Sequence, residues 1–270
     1  MTDLQRFSFN QITAKHATLR ECAEACVRHG VRWIAPWRDR VQEAGLSESA
    51  RMLRDCGLRV SSLCRGGFFP AATQAERQAR IDDNLRAIDE AAALGTDCLV
   101  LVCGPAPDRD LDAARSMVAD GVAALLDHAR ARRVRLGIEP LHPMFAADRS
   151  VIVTLAQALD LAQRFDTELA GIVVDVFHVW WDPQLYAGIQ QASGRIVGLH
   201  VSDWASPLPG ILAGRSMLGD GVIELRRIRS AVDDSGYRGP VEVEIMNESL
   251  WSSPIDSILD QSVKRFLAWV

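Results

Sequence analysis

Four side chains able to bind a metal ion close four successive apolar runs in the second half of the chain. Glu139 ends Leu136-Gly137-Ile138-Glu139, Asp175 ends Val173-Val174-Asp175, His200 ends Val197-Gly198-Leu199-His200, and Glu244 ends Glu242-Val243-Glu244. One carboxylate at the end of a buried strand is commonplace. Four such groups in succession are not, because an unpaired buried charge costs several kcal/mol. Three carboxylates crowded in a low-dielectric site repel one another, and a doubly charged cation cancels most of that repulsion. The spacing therefore points to one divalent ion held by Glu139, Asp175, His200 and Glu244. An oxygen-rich set with a single imidazole suits Mn²⁺ first, with Mg²⁺, Co²⁺ or Zn²⁺ as alternatives. The competing reading is a salt-bridge cluster with an arginine such as Arg135 or Arg215.

Groups at strand ends converge only if the strands share one sheet and run the same way. Short apolar runs alternate with segments of helical period along the whole chain, and the pattern predicts strands at Arg6–Asn10, Val31–Ala35, Leu58–Leu63, Cys98–Val102, Val134–Glu139, Gly171–Asp175, Ile196–His200 and Pro240–Glu244. Helices are expected at Leu19–His29, Glu76–Leu94, Leu111–Arg130, Leu155–Phe165 and Glu224–Asp233, the last capped by Asp220 or Gly221. Eight strands alternating with helices over 270 residues match an α/β fold of the (β/α)₈ TIM-barrel type, one domain spanning residues 1–270. A doubly wound sheet is the competitor, but neither Gly-x-Gly-x-x-Gly nor a Walker loop follows the first strand. Two residues back along the four strands, and facing the same way, lie Gly137, Val173, Gly198 and Glu242. The glycines leave room beneath the proposed ion, where alternation pairs Glu242 with Arg135.

Composition narrows the class. Apolar residues make up 48% of the chain and charged residues 24%, with a net charge of -5. No cationic excess is available for phosphates, which argues against a nucleic-acid or anionic-membrane partner. No apolar run approaches the roughly 20 residues that span a bilayer, and Met1–Arg6 lacks the order of a signal peptide, so the expected location is cytoplasmic. The six cysteines show no CxxC spacing and read as small buried thiols. Only Lys15 and Lys264 are lysines, which argues against Schiff-base chemistry.

Taken together, Ile138-Glu139-Pro140-Leu141-His142-Pro143, Val174-Asp175-Val176-Phe177-His178, Leu199-His200-Val201-Ser202-Asp203-Trp204, Gly219-Asp220-Gly221 and Val243-Glu244 resemble the sugar phosphate isomerase/epimerase family of xylose-isomerase-like TIM barrels. The resemblance implies Glu139, Asp175, His200 and Glu244 as metal ligands, with Glu139 and Glu244 doubling as acid and base and His178 contacting substrate. It also implies a sugar substrate and a homo-oligomer. Removing a proton from carbon next to a carbonyl leaves an enediolate, whose charge a metal stabilises as a Lewis acid. Glutamates from the fifth and eighth strands can approach the substrate from opposite sides, one taking the proton and the other returning it. The expected activity is a metal-dependent isomerase or epimerase of a sugar or keto-sugar. A dehydratase or lyase on an inosose or keto-glycoside would use the same intermediate. A nuclease like endonuclease IV, a member of the same superfamily, would need more metals and histidines than His142, His178 and His200 supply. A barrel that binds sugar without turnover is the non-enzyme alternative, which metal analysis would separate.

Around this centre, His142, Arg215, Trp37 and Trp204 are candidate substrate contacts. Where ketose 3-epimerases of the family carry a further glutamate six residues after the strand-five glutamate, this chain has Phe145, and His142 replaces an asparagine; both departures bear on 3-epimerase activity rather than on the metal site. Trp37, Trp180, Trp181, Trp204 and Trp251 follow strand ends, where aromatic faces suit a sugar or a lid or subunit contact. The loop Arg65-Gly66-Gly67-Phe68-Phe69-Pro70 joins them as a hinge or simple turn, and Gly219-Asp220-Gly221 reads as a turn and cap rather than a phosphate cradle.

Overall fold

The computed structural model describes residues 4–270. Its strands are β1 (Phe7–Asn10), β2 (Trp33–Ala35), β3 (Arg59–Val60), β4 (Leu63–Gly67), β5 (Cys98–Val102), β6 (Arg135–Glu139), β7 (Ala170–Asp175), β8 (Ile196–Val201), β9 (Asp203–Trp204), β10 (Arg215–Ser216) and β11 (Val241–Val243). Nine of them form one sheet in the order β3-β2-β1-β11-β8-β7-β6-β5-β4, every pairing parallel. A bridge between Trp37, just past β2, and Cys64 of β4 all but closes the ring. Helices cover the outside, so both faces of each strand are shielded from water. That is why β5, β7 and β8 read as continuous apolar runs rather than alternating ones.

Local chemistry sets the helix boundaries. Thr18 and Glu21 form a reciprocal capping box ahead of Leu19–Arg28, and Thr73 and Glu76 repeat it ahead of Gln74–Leu94. Gly95 ends that second helix in the left-handed region at φ 78°, which glycine adopts without a steric penalty. Two expectations fail. The run Leu58–Leu63 is not one strand but β3 and β4, broken at Ser61-Ser62, because the Ser61 hydroxyl turns inward to hydrogen-bond Glu242 at 2.7 Å and contacts Ser8 at 2.8 Å. Neither Asp220 nor Gly221 caps the helix Leu225–Asp234; Glu224 holds that position with no side-chain hydrogen bond.

Inside the ring, Cys98, Val100, Val173 and Val197 form a separate apolar plug. Gly137 and Gly198 admit it: a Cβ at Gly137 would lie 2.8 Å from a Val173 methyl, and one at Gly198 3.2 Å. At the amino ends of the strands lies a hollow of about 670 Å³, remote from the four convergent ligand groups. All six cysteines are free, five of them buried, and burial pushes the thiols of Cys22, Cys98 and Cys103 up to about 12, so they pack as small hydrophobes. Among the described residues no helix is long and apolar enough to cross a membrane.

Candidate metal centre and active site

The four strand-end groups meet above the plug. Glu139, Asp175, His200 and Glu244 are all buried and each offers a ligand atom within 4.8 Å of the others. Glu139 and Asp175 are the last residues of β6 and β7, His200 is the penultimate residue of β8, and Glu244 follows β11, its amide bonded to the Val201 carbonyl. His200 Nδ1 lies 3.3 Å from Glu139 Oε1 and 3.4 Å from Glu244 Oε2, while Nε2 lies 3.2 Å from Glu242 Oε2. Despite these approaches, neither ring nitrogen has a hydrogen bond of acceptable geometry. A buried imidazole nitrogen facing carboxylate oxygens without a hydrogen-bond partner suits a cation between them. Glu242 behind the ring is the kind of outer carboxylate that orients a metal-binding histidine. The donor set thus fits a divalent ion.

Glu242 corrects one expectation. It does not pair with Arg135. Arg135 opens β6 and reaches Asp97 at 2.7 Å, whereas Glu242 lies level with His200 near the opposite end of the barrel. Glu242 instead accepts from Asn10 at 3.1 Å and Ser61 at 2.7 Å.

Arg215 enters the cluster itself. Its Nη1 donates to Asp175 Oδ2 at 2.8 Å and to Glu244 Oε2 at 3.2 Å, its Nη2 sits 3.3 Å from His178 Nε2, and its guanidinium lies over Phe177 at 4.7 Å. A short ladder places it, Arg215 of β10 pairing opposite Trp204 of β9. The electrostatics follow. Burial pushes Glu139 up, with His200 opposing. Burial also raises Asp175 to about 7 against the pull of Arg215. At Glu244 burial is outweighed by Arg215 and His200, which bring it down to about 2. His200 is held well above its ordinary value, because Glu242, Glu139 and Glu244 outweigh its burial. Burial and then Arg215 keep His178 well below its own, so it is neutral.

The remaining candidates divide. His178 and Trp37 line the same small cavity, of about 50 Å³, as Glu139, Glu244 and Arg215. Trp37 also donates from Nε1 to Asn10 at 2.9 Å. His142 and Trp204 stand beside that cavity rather than in its wall. Their rings stack at 5.1 Å, and Trp204 packs on Phe177 at 4.7 Å and Trp180 at 5.4 Å. Trp251 is buried against Ile12 and Lys15. The Gly219-Asp220-Gly221 amides already hold an anion, the chain's own. Asp203 Oδ2 accepts from Gly219 at 2.9 Å and Gly221 at 3.0 Å, and Oδ1 accepts from Ile223 at 3.0 Å.

Sequence reasoning overlooked Arg149 and attended only to the glycines beside Arg65, yet both arginines line the cavity. Single arginines carry no periodic signal, whether in a strand like Arg65 or a turn like Arg149. Asp203 was visible only as part of a motif, and its amide partners lie 16 to 20 positions away.

Residues 23–268 match the family model described as xylose isomerase-like TIM barrel, and the chain belongs to that family. It is 31% identical over 193 residues to a 3-dehydroshikimate dehydratase of Pseudomonas aeruginosa, covering 66% of this chain but only 28% of that protein's length. It is 25% identical over 201 residues to the L-ribulose-5-phosphate 3-epimerase UlaE of Salmonella paratyphi A, covering 72% of this chain and 67% of that one. Among solved structures, protein SMc04130 from Sinorhizobium meliloti 1021 superposes with a TM-score of 0.97 at 45% identity, over 99% of both chains.

Proposed function

We propose that this chain is a metal-dependent enzyme that moves a proton at the carbon next to a carbonyl of a polyhydroxylated substrate, as an isomerase or epimerase of a sugar or keto-sugar. One observation carries the reading: Glu139, Asp175, His200 and Glu244 converge, buried, around an imidazole nitrogen that has no hydrogen-bond partner. A divalent ion held by those four would supply Lewis-acid stabilisation of the negative charge that develops on a carbonyl oxygen.

The chain's own groups divide the proton work. Glu244, held ionised by Arg215 and His200, is the base that takes the proton from carbon. Glu139, pushed up by burial, is the acid that returns one. His178, buried and neutral, offers a hydrogen bond to a substrate oxygen without adding charge. Arg215, in the same cavity wall, positions Asp175 and Glu244. Phe145, Phe177 and Leu212 give the cavity an apolar wall that keeps water from the reacting carbon.

A second reading is favoured by the 31% identity to a 3-dehydroshikimate dehydratase: the same proton abstraction, completed by loss of a neighbouring hydroxyl. Incubating the Mn²⁺-loaded protein with ketoses, inositol ketones and 3-dehydroshikimate in D₂O separates the two. Deuterium incorporation at unchanged skeleton supports the isomerase or epimerase, and loss of the mass of water supports the dehydratase. A metal-loaded protein that exchanges no proton on any member of the panel would overturn both.

A further inference from the structure

Two half-buried arginines in the wall of this cavity lack the close carboxylate partners that Arg38, Arg229 and Arg215 have. Arg38 is clasped by Asp83 at 2.9 Å and Glu90 at 2.6 Å, Arg229 by Asp233 at 2.8 Å, and Arg215 by Asp175. Arg149 has only Asp148, whose carboxylate stands 3.9 Å from its Nε, beyond hydrogen-bonding distance. That Nε is buried and has no hydrogen bond at all. For Arg65, no carboxylate lies within 4.0 Å among the described residues, and its guanidinium rests over the Phe68 ring at 4.1 Å. Burial first, and then the neighbouring charges of Arg149 and Arg38, oppose the charge on Arg65. Both arginines thus line the space where a ligand must sit, and neither has a hydrogen bond to a carboxylate.

Their backbones are held before any ligand arrives. The Arg65 carbonyl accepts from Arg38 at 3.4 Å, and the Arg149 carbonyl accepts from Gly104 at 2.9 Å. A partly desolvated cation without a close partner carries a cost, and a ligand anion lowers that cost on binding. Sugar hydroxyls would leave both charges uncompensated. The planar fork of arginine fits a carboxylate or a phosphate through paired N–H donors.

We infer that Arg65 and Arg149 form an anion subsite that takes the carboxylate or phosphate of the substrate while its carbonyl end faces Glu139 and Glu244. This rests on the proposed function and narrows it to acidic substrates. The test is isothermal titration of the protein, with and without Mn²⁺, by 3-dehydroshikimate, L-ribulose 5-phosphate and the neutral ketoses D-psicose and D-fructose. The expected result is at least about tenfold tighter binding of one acid than of either ketose. Preference for 3-dehydroshikimate assigns a carboxylate, and preference for L-ribulose 5-phosphate assigns a phosphate. The double variant Arg65→Met, Arg149→Met should lose that advantage while still taking up Mn²⁺, which reports an intact barrel. Arg149→Lys, which keeps the charge but not the fork, should lose part of it and serves where the double variant fails to fold. Equal affinity for acids and neutral ketoses, or retention of the acid's affinity within twofold in the variants, would overturn the inference. Absence of Mn²⁺ uptake in the unmodified protein would instead overturn the enzyme reading, since arginine-dependent anion binding is also read on metal-free protein.

Discussion

Replacing Glu242 by glutamine tests how the centre holds its histidine. Glu242 is 2% exposed; it accepts from Ser61 and Asn10 and stands 3.2 Å from His200 Nε2. Glutamine keeps the shape. If its NH₂ faces Ser61, that hydroxyl can turn to accept, and the remaining oxygen still accepts from Asn10 and faces His200. The substitution therefore removes one negative charge behind the imidazole and little else. Losing such an outer carboxylate weakens metal binding by about 10–100-fold, which is about 1.4–2.7 kcal/mol. A second consequence runs the other way. Burial lowers the proton affinity of His200, but Glu242 is the strongest of the charges that raise it, so the variant also relieves proton competition for Nδ1. The loss should be smaller at about pH 6 than at about pH 8, because proton competition at His200 in the unmodified protein grows as the pH falls. Mn²⁺ titration against a competing chelator at both values reads the two effects. Affinity within twofold of the unmodified protein, with an unchanged pH slope, would refute the reasoning.

Glu244→Gln should leave the circular dichroism spectrum intact and lower turnover by about 10²–10⁴-fold, as loss of a general base does; near-normal turnover removes Glu244 from the chemistry. Stripping metal with a chelator should lower the melting temperature, because an ion at a hundred times its dissociation constant stabilises by about 2.7 kcal/mol, or about 5–10 °C for a domain of this size; a melting curve indifferent to chelator and Mn²⁺ counts against the site. Metal affinity should rise with pH, since Asp175 near about 7, the raised Glu139 and the strongly raised His200 must all release protons to bind, and a flat profile between about pH 5 and 8 would contradict this. Gly67→Ala should destabilise by about 2 kcal/mol or more in urea unfolding, because Gly67 sits at φ 102° and a Cβ there would lie 2.0 Å from the Val102 carbonyl oxygen; a stable variant would show that β4 can shift.

The barrel was legible because a parallel sheet shielded on both faces leaves short β-branched runs ended by the residues that face the site. The expected run Cys98–Val102 agrees with β5 to the residue. The third strand was misread where polar and flexible residues break that code: Ser61 turns into the barrel, and Gly66 and Gly67 continue β4 although glycine is a poor strand former. Alternation told which way Glu242 faces but not at what height its partner stands. Arg135 faces inward too, yet it lies four residues before Glu139 on its own strand, about 13 Å lower at the usual rise per residue. The actual partners, Asn10 and Ser61, are 232 and 181 positions away, and no local pattern reports such contacts.

The loop after β8 was the least legible part, and it shapes the site most. Asp203 collects amides from Gly219, Gly221 and Ile223, which folds the loop back on itself and lets β10 pair with β9. That pairing turns Arg215 inward between Asp175 and Glu244, and Asn247 then holds its carbonyl at 2.8 Å. The same fold-back carries Leu212 over the cavity. A cavity of about 50 Å³ is far below the roughly 300 Å³ at which ligand pockets begin. Room for a sugar must come from a wall not fixed by strand pairing. Segment 205–213 is such a wall, with Ile211 and Leu212 exposed at 60% and 44% while Asp203 and Arg215 beyond its two ends are buried and bonded. Displacing that segment would enlarge the cavity without disturbing the four convergent groups, because its anchors belong to the ladder and not to the loop between them.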